Sequence, residues 1–126
     1  MIQQVSDSEL EILKIIWANG GSALYAGIMG ELAKTGRTWQ KNTVITLLSR
    51  LVDKGMVKTS KIGRRNEYTA MVSEEGYQAA QTQTLLNKLY AGSAKGLVAT
   101  LIQNDMISAG DYEELKSFWE SRAKEG

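Results

Sequence analysis

The chain has 126 residues, 43% of them hydrophobic, with 15 basic and 14 acidic side chains and no cysteine, histidine or proline. That length suits one domain, or one small domain with an oligomerisation arm. Without Cys and His there is no disulfide framework, thiolate metal site, cysteine nucleophile or imidazole base, so neither metal, cofactor nor enzymatic activity is expected.

The net charge of +1 conceals a segregation. Residues 1–33 balance to −3 and residues 67–126 to −4, while residues 34–66 carry nine bases against Asp53 alone, a balance of +8. Such a block points either to a polyanionic partner or to a solvated basic face. The opening "MIQQVSDSEL" has no basic region followed by an apolar run, so no secretory signal is read. The apolar stretch "GLVATLI" is too short to cross a bilayer. The expectation is a cytoplasmic protein without membrane insertion.

"SDSE" opens the first helix, with Ser6 as cap and Glu9 completing a capping box. Leu10, Leu13, Ile16 and Trp17 recur on one face, and "NGG" ends the helix at Asn19–Gly21. A shorter helix covers "YAGIMGELAK", with Ala26, Met29, Leu32 and Ala33 expected inward. The third runs from about Lys41 to Lys54. Val44, Leu47, Leu48, Leu51 and Val52 form its buried stripe, Ile45 stands at the border, and Gly55 takes the left-handed C-terminal position. "MVKTSKIGRRNEYTAMV" then reads as two strands around a turn in "KIGRRN". Val57, Thr59, Tyr68 and Ala70 suit a half-buried ribbon. Helix, short helix, amphipathic helix and basic hairpin in this order predict a winged helix-turn-helix, mainly α with a small β-hairpin wing, over residues 1–72.

Three further helices are predicted over residues 73–126: one from Ser73 to Tyr90, one in "SAKGLVATLIQN", and one capped by Ser108 with Tyr112, Leu115, Phe118 and Trp119 as its stripe. Leu85, Leu86, Leu89, Tyr90, Leu97, Val98, Leu101 and Ile102 supply the other apolar faces. Three helices of this size do not easily close a core alone. Their apolar faces ask for a second copy, so residues 73–126 are expected to form a helical dimerisation region; the alternative is that they pack back on the preceding domain.

The third helix turns Asn42, Thr43, Thr46, Ser49, Arg50 and Asp53 away from its leucines. A face made only for water usually mixes Glu and Lys. Short hydroxyl and amide side chains with one Arg and almost no acid are what a groove-facing surface needs: Thr and Ser bond bases or phosphates, Asn reads adenine, Arg reads guanine. The candidate DNA-facing set is Gln40, Lys41, Asn42, Thr43, Thr46 and Arg50 on the helix, with Lys58, Lys61, Arg64 and Arg65 on the wing (58–66) for phosphate. Basic wing residues also guard exposed strands against edge pairing. The alternative function is a winged-helix module docking an acidic protein. RNA binding is weaker, because only Tyr68 and Trp39 lie near the basic zone. No Gly-rich phosphate loop, metal motif or nucleophile elbow appears, and Glu74–Glu75 and Glu113–Glu114 are economically helix-start charges.

"VSDSELEILKIIW", "WQKNTVITLLSRLVDKGMV", "EYTAMVSEEGYQ" and "LLNKLYAGSAKGLVATLI…YEELKSFW" together resemble the BlaI/MecI/CopY family of bacterial penicillinase-type repressors, in register from about Val5 to Trp119. The pattern W-x-x-x-T-V-x-T-L-L-x-R-L-x-x-K-G is the most specific part. The resemblance implies a homodimeric repressor on palindromic double-stranded operators, its recognition helix at 41–54. Thr43, Thr46 and Arg50 fall on matching residues; Asn42 and Ile45 stand where members carry Lys and Arg, and Lys41 where a proline is common. In antibiotic-responsive members a membrane sensor-protease triggers cleavage in the dimerisation region. The matching bond is Thr100–Leu101, where those members resemble Asn-Phe. The C-terminal cysteine pattern of the copper-responsive branch is absent.

Overall fold

The computed structural model describes residues 3–125. Among them, six helices and three strands follow in the order α1 (Asp7–Ala18), β1 (Ser22–Leu24), α2 (Tyr25–Lys34), α3 (Lys41–Asp53), β2 (Val57–Ile62), β3 (Arg65–Ala70), α4 (Glu74–Tyr90), α5 (Ala94–Gln103) and α6 (Ala109–Glu125). The chain divides into two compact units, Met1–Gln81 and Thr82–Gly126.

The first unit is a winged helix-turn-helix. Its core is aliphatic: Ile12, Leu13 and Ile16 of α1 are fully buried, as are Ile28 of α2 and Val44, Leu48 and Leu51 of α3. Removing each such side chain from water is worth about 1.5–3 kcal/mol. α1 begins with the capping box: Ser6 Oγ accepts from the Glu9 N–H at 3.2 Å and Glu9 Oε1 accepts from the Ser6 N–H at 3.0 Å. α3 ends at Asp53 with Lys54 as its C-cap, and Gly55 follows with φ +74°, the left-handed conformation expected there.

The ribbon has three strands rather than two, in the order β1-β3-β2, all antiparallel. β1 pairs Ala23 with Tyr68, and β2 pairs Thr59 with the same Tyr68. Three residues are too few to show an alternating pattern; β1 exists because β3 offers it a free edge. The hairpin turn is only Gly63–Arg64, because Ile62 already pairs with Arg65. Gly63 has φ +63° at the first central position, where a two-residue turn of this kind favours glycine.

Several inward assignments need correction. Ala26 and Ala33 are exposed; Ile28 and Leu32 are the buried residues of α2, with Met29 half-buried. The α2 stripe is thus Tyr25, Ile28, Met29 and Leu32, rotated because β1 delivers the chain at Leu24. Val52 is 37% exposed, since α3 presents only Val44, Leu47, Leu48 and Leu51 to the core. Thr59 is exposed, whereas Val57 and Tyr68 are buried.

Glu9 is the one buried charged residue among the described residues, 1% exposed. Lys54 at the end of α3 donates to both its oxygens, at 2.7 and 3.0 Å. Burial alone would raise the Glu9 carboxyl, but the hydrogen bonds from Lys54 and Ser6 outweigh it and the net shift is downward. The start of α4 belongs to the same unit. The Tyr77 hydroxyl accepts from the Val5 N–H at 3.1 Å, the Tyr77 ring lies 5.9 Å from that of Trp17, and Trp17 Nε1 donates to the Val72 carbonyl at 2.8 Å.

The second unit contains the rest of α4, with α5 and α6. Ser93 caps α5, accepting from the Gly96 N–H at 3.0 Å. Ser108 caps α6 in a reciprocal pair with Asp111, both bonds at 3.0 Å. From residue 78 onward no described side chain is buried.

The Glu9 pair sets a pH-dependent part of stability. Because its carboxyl lies below the ordinary value in the folded state, the contribution is complete above the unfolded value and is lost as pH falls through the folded one. Glu9→Gln is expected to cost about 1–3 kcal/mol at neutral pH in urea unfolding. The gap from the parent protein should narrow as pH drops below the usual carboxylate range; a gap independent of pH would contradict the assignment.

Candidate nucleic-acid interface

The outward face of α3 follows from its inward one. With Val44, Leu47, Leu48 and Leu51 committed to the core, Lys41, Asn42, Thr43, Thr46, Ser49 and Arg50 are exposed, as is Gln40 at the N-cap. Gln40 makes no side-chain capping bond, and the first turn of α3 contains Lys41 and no acid. That is unfavourable for an isolated helix, whose N-terminus carries partial positive charge, and favourable for the approach of an anion. The Thr46 hydroxyl donates to the Asn42 carbonyl of its own helix at 2.8 Å. Ile45, 42% exposed, lies on this outer side and adds an apolar element to it.

The hairpin carries the second half of the candidate set. Lys58, Lys61, Arg64 and Arg65 are all exposed, and among the described residues none forms an ion pair. A cavity of about 410 Å³ lies between the turn and the start of α2, lined by Arg64, Arg65 and Asn66 with Leu24, Tyr25 and Ala26. Burial, and after it charge repulsion from Tyr25, pushes the Tyr68 phenol upward.

Three of the nine bases between residues 34 and 66 are not free. Lys34 pairs with Glu31 at 3.1 Å, Arg37 with Glu11 at 2.8 Å and Lys54 with Glu9 at 2.7 Å. Their partners all come from the acidic first third of the chain. Lys34–Glu31 is a local i, i+3 pair, whereas separations of 26 and 45 residues hide the other two from the sequence. The unpaired bases are Lys41 and Arg50 on α3 and the four of the wing. Arg37 also stacks over the Trp39 ring, 4.7 Å from its centroid. This cluster, and Asn66 beside the two wing arginines, had no local signature in the sequence.

In the second unit the assigned apolar residues remain largely open. Leu85, Leu89, Val98, Ile102, Leu115, Phe118 and Trp119 are exposed, Trp119 by 75%, whereas Leu86, Tyr90, Leu97 and Leu101 are half-buried. Met106 and Tyr112 are exposed as well. Thr100 and Leu101 both lie inside α5 and are half-buried. No group of His, Cys, Asp or Glu among the described residues could hold a metal ion, and no helix is long and apolar enough to cross a membrane.

The penicillinase repressor family model matches residues 5–121. The penicillinase repressor of Bacillus licheniformis is 36% identical over 114 residues, 90% of this chain and 88% of that one. The solved DNA-binding domain of the repressor BlaI is 40% identical and covers 61% of this chain and 92% of its own, with a TM-score of 0.53. The monomeric form of Bacillus licheniformis BlaI in complex with the blaP half-operator is 39% identical with the same coverage and a TM-score of 0.52.

The unpaired wing bases should dominate polyanion binding. Arg64→Ala with Arg65→Ala is expected to elute from a heparin column at clearly lower salt than the parent protein. Removing equal charge at Lys88 and Lys95, in the second unit, should shift elution much less. Equal shifts would show that net charge, not this surface, controls binding.

Proposed function

The chain belongs to the penicillinase repressor family, and we propose that it is a homodimeric, sequence-specific DNA-binding transcriptional repressor. The observation that carries this reading is the outer face of α3: exposed, nearly free of acid, and held outward by a stripe that is dry on the other side. In the proposal residues 1–72 bind DNA and residues 73–126 dimerise. α3 enters the major groove, where Asn42, Thr43, Thr46 and Arg50 meet base edges and Gln40 and Lys41 lie near the phosphates. Lys58, Lys61, Arg64 and Arg65 rest on the backbone beside it and supply affinity that does not depend on sequence. A relative solved on an operator half-site supports the duplex as partner.

The dimer follows from what the second unit fails to bury. Nine large apolar side chains between Leu85 and Trp119 are more than a third exposed. A lone module with so much open apolar surface, and no buried residue among those described, is not self-sufficient. A second copy offers the same faces in return, and two-fold symmetry sets two copies of α3 about 34 Å apart on a palindromic operator.

Release by a sensor-protease cutting Thr100–Leu101 belongs to this proposal, with one structural condition. The Thr100 carbonyl accepts from the Asn104 backbone N–H at 3.1 Å and from Asn104 Nδ2 at 2.9 Å, and Thr100 Oγ1 donates to the Gly96 carbonyl at 3.1 Å. The bond is therefore helical, and the end of α5 must open before a protease can engage it.

Selecting bound duplexes from a random pool with the full chain tests the proposal, and a palindromic winner is expected. On that winner, Thr46→Ala should lower the preference over random DNA by about 1 kcal/mol, while Arg64→Ala weakens both alike. Equal losses on both duplexes for Thr46→Ala would reject its place at a base. Trp119→Ala with Phe118→Ala should give a monomer in sedimentation that keeps half-site binding and loses most full-site affinity. Binding to an acidic protein with no preference among duplexes would reject the whole reading.

A further inference from the structure

The approach to α3 is built differently from the approach to α1. α2 ends at Lys34, and a left-handed Gly36 (φ +81°) lets the Arg37 N–H reach back to the Leu32 carbonyl at 3.0 Å. Four residues later, at Lys41, α3 begins without a side-chain cap, Gln40 making no such bond. Arg37 meets Glu11 in a two-pronged pair, Nε to Oε1 and Nη2 to Oε2, each 2.8 Å. Its guanidinium lies over Trp39, which is itself packed against the core. Glu11 stands on α1 next to Ile12 and Leu13, both fully buried, so its backbone is held by the core. The chain immediately ahead of α3 is thereby strapped to α1 through Arg37 and Trp39. Among the described residues Arg37 is the one guanidinium in an ion pair; Arg50, Arg64 and Arg65 have none.

We infer that Glu11 is a positioning residue for sequence recognition: through Arg37 and Trp39 it aims the first turn of α3, and it withholds the Arg37 charge from phosphate. The inference rests on the DNA-binding reading, and it deepens it by naming a residue outside the contact surface on which specificity depends. A bidentate guanidinium–carboxylate pair fixes orientation as well as position. The effect has a steric part, the aim of the first turn, and an electrostatic part, since an Arg37 without its carboxylate would add sequence-blind affinity.

The test uses the full chain with Glu11→Gln and Arg37→Gln, and two readouts. The first needs no DNA: the Trp39 indole N–H resonance should move in both variants. The second is the salt dependence of binding to the selected duplex and to random DNA. Glu11→Gln frees Arg37, so the slope of log K against log salt should steepen by about 0.9, one additional phosphate, while discrimination falls about fivefold. Arg37→Gln should lose similar discrimination with no change in slope. An unmoved Trp39 resonance in Glu11→Gln overturns the strap irrespective of any nucleic acid. A slope shallower by about 0.9 in Arg37→Gln overturns the withholding of charge, because Arg37 would then be a phosphate ligand. Should the parent protein prefer no duplex, the DNA reading falls while the Trp39 readout still decides whether Glu11 positions α3.

Discussion

The first unit depends on the packing of α3 against α1. Ile12, Leu13 and Ile16 on one side and Val44, Leu48 and Leu51 on the other are essentially dry, and no rotation of either helix could keep them so. A helix with one side pinned in this way has no choice about the other. The exposure of Asn42, Thr43, Thr46 and Arg50 is a consequence of where the leucines are, as much as of their own polarity. The remaining parts hold that arrangement from its ends. Lys54 closes the C-terminal end of α3 onto the buried Glu9, and Arg37 restrains the chain ahead of its N-terminus through Glu11.

Charge in this molecule is better understood in space than along the chain. The basic block of residues 34–66 pointed either to a polyanionic partner or to a solvated basic face. The fold divides it: Lys34, Arg37 and Lys54 are neutralised by acids of α1 and α2, and the unpaired bases are sorted onto α3 and the wing. What remains is smaller and more localised, with the polar face of α3 beside it. On the proposed DNA-binding reading, a limited count of free cations is an advantage, because each one adds affinity for every sequence equally.

Features visible in the sequence were those with a local signature. Ser6 and Glu9 at capping-box spacing, the i, i+3, i+4, i+7 run of Val44, Leu47, Leu48 and Leu51, and Gly55 after the last turn each state their structure within a few residues. Features set by distant partners were not visible. β1 is three residues long and owes its existence to β3. The phase of α2 was misplaced by the alanines, which are equally at home on either side of a helix, whereas Ile28 is not. Val52 satisfied the periodic pattern but sits near the end of α3, where the core no longer reaches it. The Glu9–Lys54 and Glu11–Arg37 pairs connect positions that no window of sequence contains. The family resemblance ran over four stretches from Val5 to Trp119, and its most specific part was the α3 motif, one of the most locally determined segments of the chain.

The hydrogen bond from Thr46 to its own backbone gives that side chain a direction. A threonine hydroxyl has one proton, and here the Asn42 carbonyl holds it. So long as it stays there, Thr46 offers the outside world lone pairs and a methyl group but nothing to give away. Any surface that complements it must bring its own hydrogen or its own greasy edge, and one presenting only acceptors would find this threonine mute.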